Sequence, residues 1–236
     1  MGRQLRLPLA RPQSFRREEF VVSDANAAAV AQVEAWPDWH AGCLALIGPK
    51  GSGKSHLAFA WAEAAAAVAL TPDARHADLE AVRGRPVLAE DAERFPDEAL
   101  FHLINMAGEP GAGLLLTSRQ APALWPSELA DLRSRLNALH VAELGPPDDV
   151  ILAGVIEKFF RERNIRPADD LLPYLLRRIE RSAPAAREVV LRLDEAADAK
   201  QRAVSRALAR EILEAEPDLF ESDLADDGDV DDISDR

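Results

Sequence analysis

A single cysteine, Cys43, stands among 236 residues, so no disulfide can close within the chain and a disulfide-stapled scaffold is excluded. It sits in an apolar run and reads as a buried core thiol. No apolar stretch approaches the roughly 18 residues of a membrane span, and Met1–Ala10 lacks the basic-then-apolar layout of a secretion signal. A soluble protein in the reducing cytoplasm is expected. Basic charge is also short: 28 Lys and Arg face 41 Asp and Glu, a net charge of −13. The deficit is local, because residues 216–236 hold ten of the acids against one arginine. The remainder carries 31 acidic and 27 basic residues, too balanced for tight binding to DNA phosphates, and no sequence-specific DNA contact is expected. The acidic stretch reads as disordered and solvating, or as a shield for a surface. Lysine is the rarest charged residue, with four in all, yet Lys50 and Lys54 fall in one short loop.

What is present has the pattern of a mixed α/β chain followed by helices. Met1 to about Arg17 holds prolines and arginines without a helical period and reads as an extended arm. Short apolar runs at Cys43–Ile47, Ala67–Leu70, Pro86–Ala89, Gly113–Thr117 and Ala138–Val141 read as buried strands. They alternate with helical stretches at Ser55–Ala67, Asp97–Met106 and Pro126–Leu136, which implies a parallel sheet covered on both faces. Beyond Gly145-Pro146-Pro147 everything reads as helix, at Val150–Arg163, Pro167–Glu180, Ala185–Ala199 and Val204–Glu214. The expected organisation is an arm at 1–17, an α/β domain at 18–146, a helical domain at 147–215 and an acidic tail at 216–236.

Gly48-Pro49-Lys50-Gly51-Ser52-Gly53-Lys54-Ser55 matches glycine, four residues, glycine, lysine, serine, and lies between a strand and a helix as the phosphate-binding mechanism requires. Its glycines let backbone N–H groups curl round a phosphate, the helix terminus adds positive potential, Lys54 reaches the β- and γ-phosphates, and Ser55 can hold Mg2+. Phosphoryl transfer also needs carboxylates near the metal and the attacking water. The strand Pro86–Ala89 ends in Glu90-Asp91, which supplies two, with Glu90 as the candidate Mg2+ ligand.

These residues, together with Leu114–Ser118, Asp131–Leu136 and the late helix Arg187–Asp194, occur in the order found in the AAA+ ATPase core of DnaA-like proteins. The sequence resembles that family from Gln4 to about Glu214, most closely its Hda type of replication regulator. The resemblance implies a P-loop α/β domain followed by a small helical lid, with ADP or ATP and Mg2+ as cofactors. It implies that Gln4-Leu5-Arg6-Leu7-Pro8-Leu9 docks on the β sliding clamp, with Gln4, Leu5, Leu7 and Leu9 as contacts; an extended peptide would place Leu7 and Leu9 on one side. Arg135 corresponds to an arginine finger aimed at nucleotide on a neighbouring subunit, a role suited to its permanently charged planar fork. Arg187 corresponds to the sensor 2 arginine, and Val22 and Thr117 fall in segments beside the nucleotide. Phe20, Val21 and Asn26 belong to the adenine-side segment as well.

Two departures bear on catalysis. The acidic pair begins with Glu90 where the family usually has aspartate, and Arg119 follows Thr117-Ser118 where an aspartate is frequent. Slow intrinsic turnover, with bound ADP holding a working conformation, is the consequence expected. The partners implied are DnaA and the clamp, with homodimerisation as a further expectation and no membrane contact. The chemistry implied is stimulation of hydrolysis of DnaA-bound ATP. A nucleotide-gated adaptor on the clamp that catalyses nothing, and an autonomous AAA+ ATPase, are the alternatives.

Overall fold

The computed structural model describes residues 15–74 and 76–215, so the arm residues Gln4, Leu5, Leu7 and Leu9 and the acidic stretch lie outside the described residues. In chain order the elements are α1 (Ala27–Glu34), β1 (Cys43–Ile47), α2 (Lys54–Ala64), β2 (Val68–Leu70), α3 (His76–Ala81), β3 (Pro86–Ala89), α4 (Asp97–Met106), β4 (Gly113–Ser118), α5 (Ala130–Ala138), β5 (Val141–Glu143), α6 (Asp149–Glu162), α7 (Leu171–Leu175), α8 (Ala183–Lys200) and α9 (Arg206–Ala215). The five strands form one sheet in the order β2-β3-β4-β1-β5, and every pairing is parallel.

Strand side chains alternate between faces, so a sheet buried on both sides needs apolar residues at consecutive positions. Cys43 and Ala45 of β1, Val87 and Ala89 of β3, and Leu114 and Leu116 of β4 pack on one face with Leu100, Leu103, Leu132 and Leu136 from α4 and α5. Leu44, Leu46, Leu88 and Leu115 point the other way, onto Val30 and Val33 of α1 and Leu57 and Trp61 of α2. Cys43 is buried, and desolvation pushes its thiol up to about 12, far from a reactive thiolate. A separate core lies among α6 to α9, built on Leu152, Ile156, Phe160, Leu171, Val190, Leu193 and Leu208.

Most element bounds differ from the expected ones by one to three residues, and the departures with a structural cause are at the last strand and two helices. The last strand is Val141–Glu143, not Ala138–Val141, because α5 keeps its turns through Ala138 to bury Leu132 and Leu136. That same helix begins at Ala130 instead of Pro126. Asp97 accepts from the Ser127 hydroxyl at 2.8 Å and the Glu128 amide at 3.1 Å, which fixes the preceding residues as a loop. Of the helix read over Pro167–Glu180, only Leu171–Leu175 is α-helical. Helix α1, to which the sequence reading assigned no element, covers the sheet with Ala29, Val30 and Val33.

Candidate functional site

The loop between β1 and α2 is closed by backbone conformations that favour glycine. Gly51 has φ +80, and a Cβ there would lie 2.7 Å from Ser182 Cβ and 2.9 Å from Pro184 Cδ. Gly53, which caps α2, has φ +95 with Phe20 against it. The Gly51 carbonyl accepts from the Ala183 amide at 3.2 Å, so the first residue of α8 is fastened to the loop. The amino ends of α2 and α8 therefore meet at Gly51, and both carry the positive end of a helix dipole.

Lys54 donates to the carbonyls of Gly48 at 2.6 Å and Pro49 at 2.9 Å. Its pKa is lowered, first by burial and then by the Arg119 cation, while Asp91, Glu93 and Glu90 pull in the opposite direction. The three acids and Arg119 thus lie within electrostatic reach of the ammonium. The buried Ser52 hydroxyl has no hydrogen-bond partner among the described residues, although it lies in a loop of backbone donors. Glu90 follows β3 directly, and Asp91 takes a left-handed conformation, φ 51 and ψ 51. Its amide donates to Thr117 Oγ1 at 3.1 Å. Thr117 is buried at the end of β4, where it ties the tips of β3 and β4 together. It does not line the cavity described next.

A cavity of about 520 Å³ opens between the loop and the helices that follow the sheet. Gly51, Ser52, Gly53, Lys54 and Ser55 form its base, and Arg187 of α8 enters the wall. Arg187 has no ion pair among the described residues, so its charge is available to a phosphate. One side is aromatic: Phe15 stacks on Phe59 at 4.9 Å, and Phe15 and Phe20 meet the His56 ring edge-on at 5.8 and 5.4 Å. His56 Nε2 is 2.9 Å from the Arg16 carbonyl, to which only a protonated nitrogen can donate. Burial lowers the His56 pKa, which favours the neutral ring. Ile151, Val155 and Phe159 of α6 face it across the cavity.

Lys158 of α6 joins Glu19 at 2.7 Å and Glu162 at 3.8 Å in the same wall. Ser23 and Asp148 make a second strap between the segment before α1 and the start of α6. The Ser23 hydroxyl donates to Asp148 Oδ2 at 2.6 Å, and Asp148 Oδ1 accepts from the Ile151 amide at 2.8 Å. Those two hydrogen bonds, the amide first, hold the Asp148 pKa below its ordinary value.

The sequence-derived residues do not all converge. Gly51 to Ser55 and Arg187 line the cavity, whereas Gly48, Pro49, Lys50, Glu90 and Asp91 do not. Val22 is 43% exposed, while Val21 lines the cavity and touches the position a Gly154 Cβ would take, at 2.6 Å. In an extended segment neighbouring side chains face opposite ways, so only one of the two valines can turn inward. Asn26 is buried but spends its amide on the same segment, donating to the Val21 carbonyl and accepting from the Ser23 amide. Arg135 is distant from the cavity. It lies in the last turns of α5, over the Phe101 ring at 5.0 Å, and its charge reaches Cys43 at the start of β1. Glu93, His56 and Lys158 also belong to the site, although no motif marks them in the sequence. Glu93 Oε2 is buried without a hydrogen-bond partner among the described residues, close enough to influence Lys54. Its signal was its place four residues beyond the end of β3.

The donor set suits an anion bound to a hard cation. Backbone amides, Lys54 and Arg187 can hold phosphates, and the Ser55 hydroxyl with Glu90 offers the oxygen ligands that Mg2+ prefers. The parallel sheet, the P-loop at the end of its first strand and the small helical lid are together an AAA+ P-loop fold. No protein-family model matches the chain. The chain is 32% identical over 175 residues to the chromosomal replication initiator protein DnaA of Caulobacter sp. (strain K31), covering 62% of this chain and 36% of that protein. It therefore spans just over a third of that relative's length. Domain III of the Thermotoga maritima replication initiation protein DnaA has the same fold, with a TM-score of 0.72 and 18% identity over 85% of this chain and 96% of the domain. A replication initiator DnaA bound to AMPPCP and single-stranded DNA aligns with a TM-score of 0.62 and 16% identity, over 79% of this chain and 68% of that one.

Proposed function

We propose that this chain is a DnaA-related regulator of replication initiation, of the Hda type. It binds adenine nucleotide in the cavity beneath α6 and α8, docks on the β sliding clamp through Gln4, Leu5, Leu7 and Leu9, and presents Arg135 to ATP held by DnaA. Hydrolysis of that ATP converts the initiator to its ADP form. The observation that carries the reading is the position of Arg135. Helix α5 connects two parallel strands, so its last turns lie at the amino end of the sheet, where Arg135 acts on Cys43. The phosphate loop lies at the opposite end of β1, whose five residues span about 16 Å. An arginine so placed serves a nucleotide on another molecule, and it has no ion pair among the described residues to hold it back.

On the chain's own nucleotide, Lys54 would exchange the Gly48 and Pro49 carbonyls for phosphate oxygens, and the Ser52 hydroxyl would gain a partner. Arg187 fixes the lid to the same phosphates, and the wall of Phe15, Phe20 and Phe159 takes the base. Bound Mg2+, held by Ser55 and Glu90, would neutralise phosphate charge. Arg119 beside Lys54 favours a nucleotide that stays bound over one that is turned over. That feature equally suits a clamp adaptor without a catalytic role, which is the second reading.

The test follows ATP prebound to purified DnaA, with DNA-loaded clamp, as it decays in the presence of this protein. Arg135→Ala should cost roughly 10³ to 10⁵ in stimulation while the variant still binds nucleotide, and Gln4→Ala/Leu7→Ala should lose stimulation together with the clamp. Unchanged decay by a wild-type protein that binds both clamp and nucleotide would favour the adaptor. Steady-state turnover by the isolated chain that vanishes in Lys54→Ala would favour an autonomous ATPase.

A further inference from the structure

The lid carries a basic groove that the nucleotide site does not use. Arg177, Arg178 and Arg206 surround Tyr174 in a groove of about 280 Å³, with Asp170 as its one acidic wall residue. The Arg178 guanidinium lies 4.1 Å from the Tyr174 ring centroid and that of Arg206 lies 5.2 Å from it. The buried ring thus holds two exposed forks in place by cation–π attraction. Arg206 meets Asp170 only at 4.0 Å, between side chains 58% and 59% exposed, and Arg177 and Arg178 have no ion pair among the described residues. In a chain of net charge −13, three clustered guanidiniums sharing one loosely held carboxylate are an anion site. Arginine forks match carboxylates two bonds at a time.

We propose that the occupant is the acidic segment 216–236 of the same chain. The segment brings ten carboxylates and one arginine. It follows Ala215, the last residue of α9, and Arg206 is the first residue of that helix. Ten helical residues place Ala215 about 15 Å from Arg206. Roughly five extended residues cover that distance on the return, which leaves most of the segment to lie along the groove. Tethering raises its local concentration to the millimolar range, so individually weak carboxylate contacts are enough. While the segment is seated, the groove is closed to other polyanions, single-stranded nucleic acid among them.

Tyr174 is the sole tyrosine, so a chain labelled with 3-fluorotyrosine gives one 19F resonance, from the groove itself. We expect that resonance in the full chain to differ, at low salt, from that of a chain ending at Ala215. It should differ likewise from a full chain in which Asp226, Asp227, Asp229, Asp231 and Asp232 are changed to asparagine. About 1 M salt should merge the three, since screening then acts within about 3 Å. A synthetic 216–236 peptide should return the truncated chain's resonance towards that of the full chain, and fail to do so in Arg177→Gln/Arg178→Gln. Identical resonances at low salt overturn the proposal. So does a single-stranded oligonucleotide that moves the full-chain resonance as strongly as the truncated one, because the groove is then a nucleic-acid contact that the tail leaves open.

Discussion

The Ala183 amide donates to the Gly51 carbonyl at 3.2 Å, and with that bond the lid is seated directly on the phosphate loop. On the proposed reading a nucleotide in the cavity would touch both the loop and α8 near this bond, and lid position and nucleotide affinity would be coupled. Gly51→Ala tests this. Its methyl would lie 2.7 Å from Ser182 Cβ at a residue with φ +80. The cost in stability should be roughly 1–3 kcal/mol, read by urea unfolding, and nucleotide affinity should fall with it. Affinity retained at wild-type level would show that the lid seat is irrelevant to binding.

Among the described residues the hydrogen bonds of Lys54 go only to two carbonyls of its own loop, and the acids within its electrostatic reach are opposed by Arg119. Lys54→Ala should therefore unfold at nearly the wild-type denaturant concentration. It should bind a fluorescent ADP analogue about 10- to 100-fold more weakly, which is the worth of one charged hydrogen-bonding group.

Asp148 sets a pH dependence. Its folded pKa lies below the ordinary 3.8 because the Ile151 amide and Ser23 hydroxyl bind the carboxylate. A carboxylate with a depressed folded pKa contributes stability that is complete above the unfolded value and is lost as pH falls through the folded one. Thermal stability of the wild type should therefore drop below about pH 4 by more than that of Asp148→Asn. Parallel curves for the two proteins would rule out the strap.

The two valines beside the cavity separate a lining residue from an exposed one. Val22→Ser should change stability by no more than about 0.5 kcal/mol and leave nucleotide binding intact. Val21→Ser should weaken binding, because Val21 lines the cavity and fills the close approach to Gly154. A fluorescence titration of both variants decides it, and the reverse order would place the base elsewhere.

The sheet was legible because a strand buried on both faces announces itself as a short apolar run; Cys43–Ile47 and Pro86–Ala89 have the bounds expected of them. Helix ends were less legible. Where α5 begins depends on Asp97, some thirty residues away, which captures Ser127 and Glu128. Helix α1 was missed because its buried stripe is three small side chains in an alanine-rich stretch. At the site, the phosphate loop was legible from fixed spacing, whereas Val21 and Val22 are equivalent as letters. Beyond the i,i+4 spacing of Lys158 and Glu162, Lys158 and His56 gave no signal, since their other partners, Glu19 and the Arg16 carbonyl, come from a segment far away in the chain.

What the sequence alone determined is therefore what depends on neighbours along the chain: alternating burial, the glycine, lysine and serine of the loop, and the crowding of acid into its last residues. Tertiary structure alone decided which distant segments meet. It set Ala183 on Gly51, turned Val21 inward, put Arg135 at the far end of the sheet from its own phosphate loop, and gathered three arginines round Tyr174. Such meetings are fixed by helix and strand packing across long loops, and no local pattern encodes them.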